Sequence, residues 1–387
     1  MAGTPSYPRI VKPPRGSFFL FGPRGVGKST WAASRLSRAH RIDLLDEGLY
    51  HSLLADPSLF AAELAALRAR RWVLVDEIQR IPGLLNEVHR FIEARRLRFA
   101  LLGSSARKLK AAGTNLLAGR AERKSMFPFV PEELGGDFDL DSVLRFGSIP
   151  LVWNAPDRRA ALEAYVQMYL REEIRAEALV RNLPGFVRFL PIAALCHAQV
   201  VNVSGIARDA GVARTTVDGY LEILEDTLLA FRLPAYEARL RVRERKHPKL
   251  YWVDPGLVRA VKRQLGPVTQ EERGPLFEGW LLGVLRAYGA EKRLFDEIHY
   301  WSPAEARTLE VDLLLRRGRE LLAIEVKSQS RFSGSFTSGL RAIGELPGVV
   351  RRILVYRGNR KLKTPDGIEV WPLPTFLRSV ENARLWP

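Results

Sequence analysis

Between Ser17 and Glu133 the chain alternates short apolar runs with stretches of helical spacing. The runs are Phe18–Phe21, Val73–Val75 and Phe99–Leu102, each followed by polar or turn-forming residues. Runs that are apolar at every position suit strands covered on both faces, as in a parallel sheet. This segment is therefore expected to be an α/β sheet with helices on its faces. Pro131–Asp157, rich in Gly, Pro and Asp, reads as a connector. From Arg158 to Cys196 the spacing turns helical, with Leu162, Tyr165, Met168 and Tyr169 on one face. A compact helical unit follows over Val200–Leu229, and then a basic, strand-like stretch over Leu233–Val253. A helix over Leu276–Ala287 precedes strands near Leu309–Leu315, Leu321–Lys327 and Val350–Tyr356. No repeat of fixed period and no low-complexity tract is visible.

Composition narrows the class. A length of 387 residues suggests two to three domains, and 47% hydrophobic with 27% charged residues is globular rather than disordered. No run of about 18 uncharged apolar residues occurs, so no membrane span is expected. Met1–Pro14 has no apolar secretory core, and a cytoplasmic protein is expected. A single cysteine, Cys196, excludes a disulfide scaffold or a cysteine zinc site. Six scattered histidines argue against a histidine metal site. With 60 Lys and Arg against 43 Asp and Glu, the net charge is +17. Such an excess favours a polyanionic partner, nucleic acid first; a diffuse basic surface is the alternative.

The chemistry begins at FFLFGPRGVGKST, Phe18–Thr30. It fits G-x-x-x-x-G-K-[ST] through Gly22, Gly27, Lys28 and Ser29, after an apolar strand and before a helix. Glycines, Gly25 among them, let backbone N–H groups encircle phosphates, and the helix start at Lys28–Thr30 points its positive end at the same anions. Lys28 can reach the β and γ phosphates of ATP, and Ser29 can ligate Mg²⁺. In RWVLVDEIQ, Asp76 ends an apolar strand and can hold the Mg²⁺ shell, while Glu77 can polarise the attacking water. The third strand ends in Gly103-Ser104-Ser105, where either serine could sense the γ-phosphate or simply form a turn. In NLLAGRAER, Arg120, with Arg123 in reserve, is the candidate arginine acting in trans on a neighbour's nucleotide; a solvated surface arginine is the alternative.

Val203–Thr227 reads as a helix-turn-helix. Ser204 is expected to cap the first helix, Ile206–Asp209, and Gly211 to form the turn. Arg214, Thr215 and Thr216 lie near the start of the second helix, where a recognition helix meets a DNA groove. Many such units only pack against proteins, and Asp218, Glu222 and Glu225 discourage deep insertion. Next, Arg239, Arg241, Arg243 and Arg245 alternate with other residues, so on a strand they share one face; Lys246 and Lys249 extend it. That stripe reads as the wing of a winged helix touching backbone phosphates, or as a charged edge strand.

TLEVDLLL and LLAIEVK form two strands joined by Arg316–Glu320. Asp312, with Glu310 on its face, and Glu325 with Lys327 can bind Mg²⁺ and activate water; Glu278 on the preceding helix could add a third carboxylate. The segment resembles restriction-like nucleases and junction resolvases, although Glu-x-Lys is frequent by chance.

GPRGVGKST, VLVDEIQ, GSSARKL and LLAGRAERKSMFPF together resemble a AAA+ ATPase of a prokaryotic class in which the ATPase precedes a conserved C-terminal domain of unknown function. NVSGIARDAGVARTTVDGYLEILEDT, KLYWVDPGLV, FEGWLLGVLR, EVDLLL and AIEVKSQ resemble its later segments. The resemblance implies ring assembly, often as a hexamer, with ATP between subunits. The sequence thus leads us to expect a P-loop AAA+ α/β core over 1–134, a helical connector over 135–198, a winged-helix region over 199–263 and a restriction-endonuclease-like PD-(D/E)XK α/β domain over 264–387. The expected function is an ATP- and Mg²⁺-dependent DNA translocase or helicase, active as a homo-oligomer. An ATP-gated DNA nuclease and a nucleotide-dependent binding switch are the alternatives.

Overall fold

The computed structural model describes residues 7–104, 117, 119–170, 182–237, 247–303 and 309–387. They form two compact units. One holds the residues up to Phe129 with Ile149–Leu151 and Asp226–Leu228; the other holds Val130–Ser148, Val152–Glu225 and Leu229–Pro387.

The first unit is built on a parallel sheet of five strands: β1 (Ser17–Phe21), β2 (His40–Asp43), β3 (Trp72–Asp76), β4 (Arg98–Gly103) and β5 (Ala121–Ser125), in the order β2-β3-β4-β1-β5. Helices α1 (Lys28–Arg35), α2 (Glu47–Ala55), α3 (Ser58–Ala65) and α4 (Leu84–Arg95) cover it. A strand's period of two divides the apolar residues between the faces. Phe19, Phe21, Val73, Val75, Phe99 and Leu101 pack with Phe60, Leu64, Val88 and Phe91 of α3 and α4. Phe18, Leu20, Leu74, Ala100 and Leu102 pack with Trp31 and Ala32 of α1. Each of the larger of these side chains, the alanines excepted, contributes about 1.5–3 kcal/mol. The parallel order puts β4 between β1 and β3, so the chain leaves all three at one end of the sheet. The two edge strands, HRID and AERKS, are polar and gave no apolar run to read.

In the second unit a single helical turn at Pro131–Leu134 is followed by α5 (Leu140–Phe146) and α6 (Arg158–Ala164). Leu162 and Tyr165 are buried as their spacing suggests, but Met168 is 63% exposed. Tyr165–Leu170 winds as a π-helix, and the extra residue per turn rotates position 168 off the buried face.

Helix α7 (Leu183–Leu195), strand β6 (Gln199–Val200), helices α8 (Val203–Ala210) and α9 (Arg214–Asp226), and strands β7 (Ala230–Leu233) and β8 (Lys249–Trp252) then form one module. Its sheet has the order β6-β8-β7 and is antiparallel. Asn202, not Ser204, caps α8, its side chain accepting from Gly205 N at 3.0 Å. The expected turn glycine, Gly211, has φ +62°. Tyr220 of α9 packs edge-on against Phe186 of α7 at 5.0 Å.

Helix α10 (Pro255–Val261) leads to the 23-residue α11 (Gln270–Lys292), whose Thr269–Glu272 capping box satisfies the first-turn donors. Helix α11 lies against a six-stranded mixed sheet of β9 (Glu297–Trp301), β10 (Val311–Arg317), β11 (Glu320–Lys327), β12 (Val349–Tyr356), β13 (Leu362–Lys363) and β14 (Glu369–Pro372), in the order β13-β14-β12-β11-β10-β9. His197 fixes α11 against β8. Its Nδ1 accepts from Trp252 N at 3.1 Å, and a Cβ at Gly279 would come within 2.2 Å of its Nε2. Burial, with Lys262 nearby, pushes the imidazole down to about 3, so it is neutral.

Candidate nucleotide site and a buried carboxylate centre

The loop between β1 and α1 has the backbone that its glycines were expected to permit. Gly25 and Gly27 have φ +77° and +86°, a region costly for other residues. A Cβ at Gly22 would fall 2.5 Å from Met126 O, so this position also excludes a side chain. No side chain caps the start of α1, leaving its first amides to the loop's concavity. Lys28 is 6% exposed, and its ammonium donates to Gly22 O at 2.7 Å and Pro23 O at 3.3 Å. Ser29 and Thr30 are exposed at the helix start.

Asp76 ends β3 and hydrogen-bonds with Ser29. Its carboxyl is raised by burial, and further by Glu77 and Asp43; Ser29 and Lys28 pull the other way. Asp43 stands beside Asp76 in the β2–β3 register. A buried carboxylate with acidic neighbours is relieved by a cation. Mg²⁺ is commonly held by one or two protein oxygens plus phosphates and water, and Ser29 and Asp76 supply such a pair.

Glu77 sits in the left-handed region at φ 54°, and its side chain accepts from Gln79 Nε2. Gln79 also donates to Ser104 Oγ at 3.1 Å, and Ser104 lies 3.4 Å from Glu77 Oε2. Gly103 leaves room for this amide, since a Cβ there would meet Gln79 Oε1 at 2.7 Å. Ser104 is thus joined to the acidic pair; Ser105 lies outside the described residues.

Four participants were not singled out from the sequence. Gln79 lies two residues beyond Glu77 in the same motif, which is the signal that could have found it. Asp43 is hidden in a polar strand. Ile149 and Leu151 come from far along the chain: Leu151 N donates to Gly25 O at 3.1 Å, and a Cβ at Gly25 would be 3.0 Å from Leu151 Cβ.

Arg120 precedes β5 on the surface, paired with Glu93 of α4 and 42% exposed. Arg123 is on β5, its guanidinium 5.4 Å from the Phe21 ring centroid. In the helix-turn-helix, Arg214 and Thr215 are exposed at the start of α9 and Thr216 is half-buried. Arg239, Arg241, Arg243, Arg245 and Lys246 lie outside the described residues. Lys249 does not extend a phosphate-facing stripe. It is 3% exposed in β8, ion-paired with Glu278 at 3.3 Å and with Glu310.

The four nuclease-like residues do come together. The register pairing Leu313 with Ile324 brings Asp312 of β10 beside Glu325 of β11. Asp312 accepts from Val326 N at 2.8 Å, and Lys327 bonds to Glu325. Glu278 of α11 is next to Gly279, so the His197 contact holds it over this point, where it accepts from Tyr251 and Lys249. Glu310 precedes β10 rather than lying within it. Among the described residues no three His, Cys, Asp or Glu side chains converge closely enough to hold a metal ion, so a divalent cation does not fit the centre as it stands.

Burial, with Asp312 nearby, pushes Glu278 up to about 7 despite Lys249, and burial and Asp312 also raise Glu325. A carboxyl that binds its proton more tightly when folded stabilises the fold while protonated. That stability is complete below about 4.5, the ordinary value, and is lost as pH rises through about 7. Urea denaturation at pH 5 and pH 8 should therefore show wild type losing up to about 3 kcal/mol more than Glu278→Gln. An equal loss in both would remove Glu278 as the source.

Comparison with known proteins gives the class. Residues 15–135 match the family model of an AAA domain. Residues 137–267 match a domain of unknown function (DUF8612), and residues 273–376 another (DUF4143). The chain thus carries an AAA domain followed by two domains of unknown function, and the AAA domain supports a nucleotide-dependent activity.

Uncharacterized proteins of Mycobacterium bovis and Mycobacterium tuberculosis are each 26% identical over 367 residues, 92% of this chain and 80% of theirs. One of Haemophilus influenzae is 22% identical, covering 81% of this chain and 78% of its own. Among solved structures, a STAND signal-transduction ATPase with a tetratricopeptide repeat sensor, from Pyrococcus horikoshii, is 15% identical with a TM-score of 0.23. The match covers 74% of this chain and 49% of that one. A Vibrio cholerae protein is 12% identical with a TM-score of 0.22, covering 95% of this chain and 96% of that one. No helix among the described residues is long and apolar enough to cross a membrane.

Proposed function

We propose that this protein is an ATP-driven DNA translocase or helicase working as a homo-oligomeric, hexameric ring. The observation that carries the ATPase part is the convergence of Lys28, Ser29, Asp76 and Glu77 at one end of the parallel sheet, with Ser104 between the strands. In this reading the loop amides and Lys28 bind the phosphates. Ser29 and Asp76 hold Mg²⁺, and Glu77 polarises water. ATP with Mg²⁺ supplies the phosphoryl group whose transfer to water drives the cycle. Gln79 positions Glu77 and links it to Ser104. Arg120 is the arginine acting in trans; its exposed ion pair with Glu93 yields readily when a neighbour offers a phosphate.

DNA is the proposed partner for two reasons. The chain carries +17, and Arg214 and Thr215 are exposed where the second helix of a helix-turn-helix begins, ahead of an antiparallel strand pair. We read this module as a winged helix, 199–263, between a connector, 135–198, and a nuclease-like domain, 264–387.

The test is ATPase activity with and without duplex and forked DNA over a salt series. Hydrolysis should rise with DNA, and affinity should fall about 10³-fold or more from 50 to 200 mM salt if six or more phosphates are contacted. Hydrolysis that no DNA stimulates at any salt would leave the nucleotide-dependent switch instead.

One observation favours a second reading, an ATP-gated nuclease: Glu278, Asp312, Glu325 and Lys327 meet in one buried centre. Cuts in duplex, fork or four-way-junction DNA that disappear in Asp312→Ala would support it.

A further inference from the structure

The carboxylate centre already contains a cation. Lys249 reaches it from β8, outside the two strands that carry Asp312 and Glu325. Its side chain is 4% exposed, and its ammonium contacts Glu278 and Glu310. Burial opposes its charge, but Glu278, Asp312 and Glu310 outweigh burial and keep it protonated. Around it, Glu278 accepts from Tyr251, Asp312 from Val326 N, and Glu325 Oε1 from Lys327. Glu325 Oε2 is buried with no hydrogen-bond partner.

Two lysines thus face four carboxyl groups, and one buried oxygen still lacks a partner. A divalent ion needs about six oxygens converging at 2.0–2.6 Å. Here most of the oxygens are engaged by an ammonium, a phenol or an amide, and among the described residues no three carboxylates converge closely enough to hold an ion. Metal and ammonium compete for the same negative charge, and removing one partner of a buried pair leaves the other uncompensated.

We propose that the Lys249 ammonium is the resident cation of the Glu278–Asp312–Glu325 centre and excludes a divalent metal ion, which enters only when Lys249 leaves. The inference builds on the nuclease reading and gives it a gate.

The experiment titrates the full-length, nucleotide-free protein with Mn²⁺, following free Mn²⁺ by electron paramagnetic resonance. Wild type should show no bound Mn²⁺ that Asp312→Asn removes. Lys249→Met should gain one Mn²⁺ site, at least about tenfold tighter than any wild-type binding, and lose it again in Lys249→Met/Asp312→Asn. Wild-type Mn²⁺ binding that Asp312→Asn abolishes would overturn the proposal, as would a folded Lys249→Met with no new site. If Lys249→Met does not fold, Mn²⁺ should restore its cooperative melt by binding the native state, and failure to do so counts against the proposal. DNA cleavage is scored separately. A variant that gains Mn²⁺ without cutting leaves the gate standing and removes the nuclease.

Discussion

Lys28→Ala is expected to lower the ATPase rate on the order of 10²–10³-fold, the usual loss when one donor to a developing anionic charge is removed. Lys28 is held against Gly22 O and Pro23 O, and in the proposed site its ammonium reaches the phosphates. The variant should also lose the rise in melting temperature that ATP is expected to give wild type, because in the proposed site this lysine contacts the nucleotide before and during transfer. Glu77→Gln separates the roles. It keeps Lys28, Ser29 and Asp76, so ATP should still raise the melting temperature while turnover collapses. A Lys28→Ala protein that hydrolyses ATP at the wild-type rate would disprove the site, and a Glu77→Gln protein with full turnover would move the water-activating role elsewhere.

Asp254→Ala should cost the second unit about 2–4 kcal/mol. Asp254 is fully buried and does two things at once. Its Oδ1 accepts from Leu257 N at 3.1 Å, capping α10, and its Oδ2 accepts from Ser148 N at 2.7 Å. Alanine removes a helix cap and strands a buried amide donor. Gly147 shows how tight the site is, since a Cβ there would lie 1.8 Å from Asp254 Oδ1. Urea denaturation of the variant is the measurement, and a loss under about 1 kcal/mol would mean that water or another acceptor replaces the carboxylate.

The sequence was legible wherever an element is buried on a regular period or a motif constrains its own backbone. Strands β1, β3 and β4 are apolar at nearly every position because both faces are covered, and their runs name them. The phosphate loop is legible because its glycines are dictated by φ and by contacts such as Gly22 with Met126 O. Strands β2 and β5 escaped because edge strands keep polar side chains, and periodicity cannot see a hydrogen-bonding neighbour.

Lys249 shows the deeper limit. Alternation placed it on the arginine face of a strand, but a charge's fate depends on which carboxylates the fold brings to it, and Glu278 and Glu310 lie 29 and 61 residues away. Met168 failed for a local reason, the change of helical pitch at Tyr165. Gln79 was visible as a residue, but its role needed Ser104 beside it.

Arg9 changes where the nucleotide-binding module should be taken to begin. Its guanidinium donates to Val26 O, inside the phosphate loop, and to Phe127 O, both at 2.5 Å, and lies 4.8 Å from the Phe129 ring centroid. The AAA match starts at residue 15 and β1 at Ser17, so a fragment cut to either boundary would discard the clamp that fastens the loop to the far end of its own domain. Such fragments would report a slack loop and weakened nucleotide affinity, and their measured constants would describe the truncation rather than the protein.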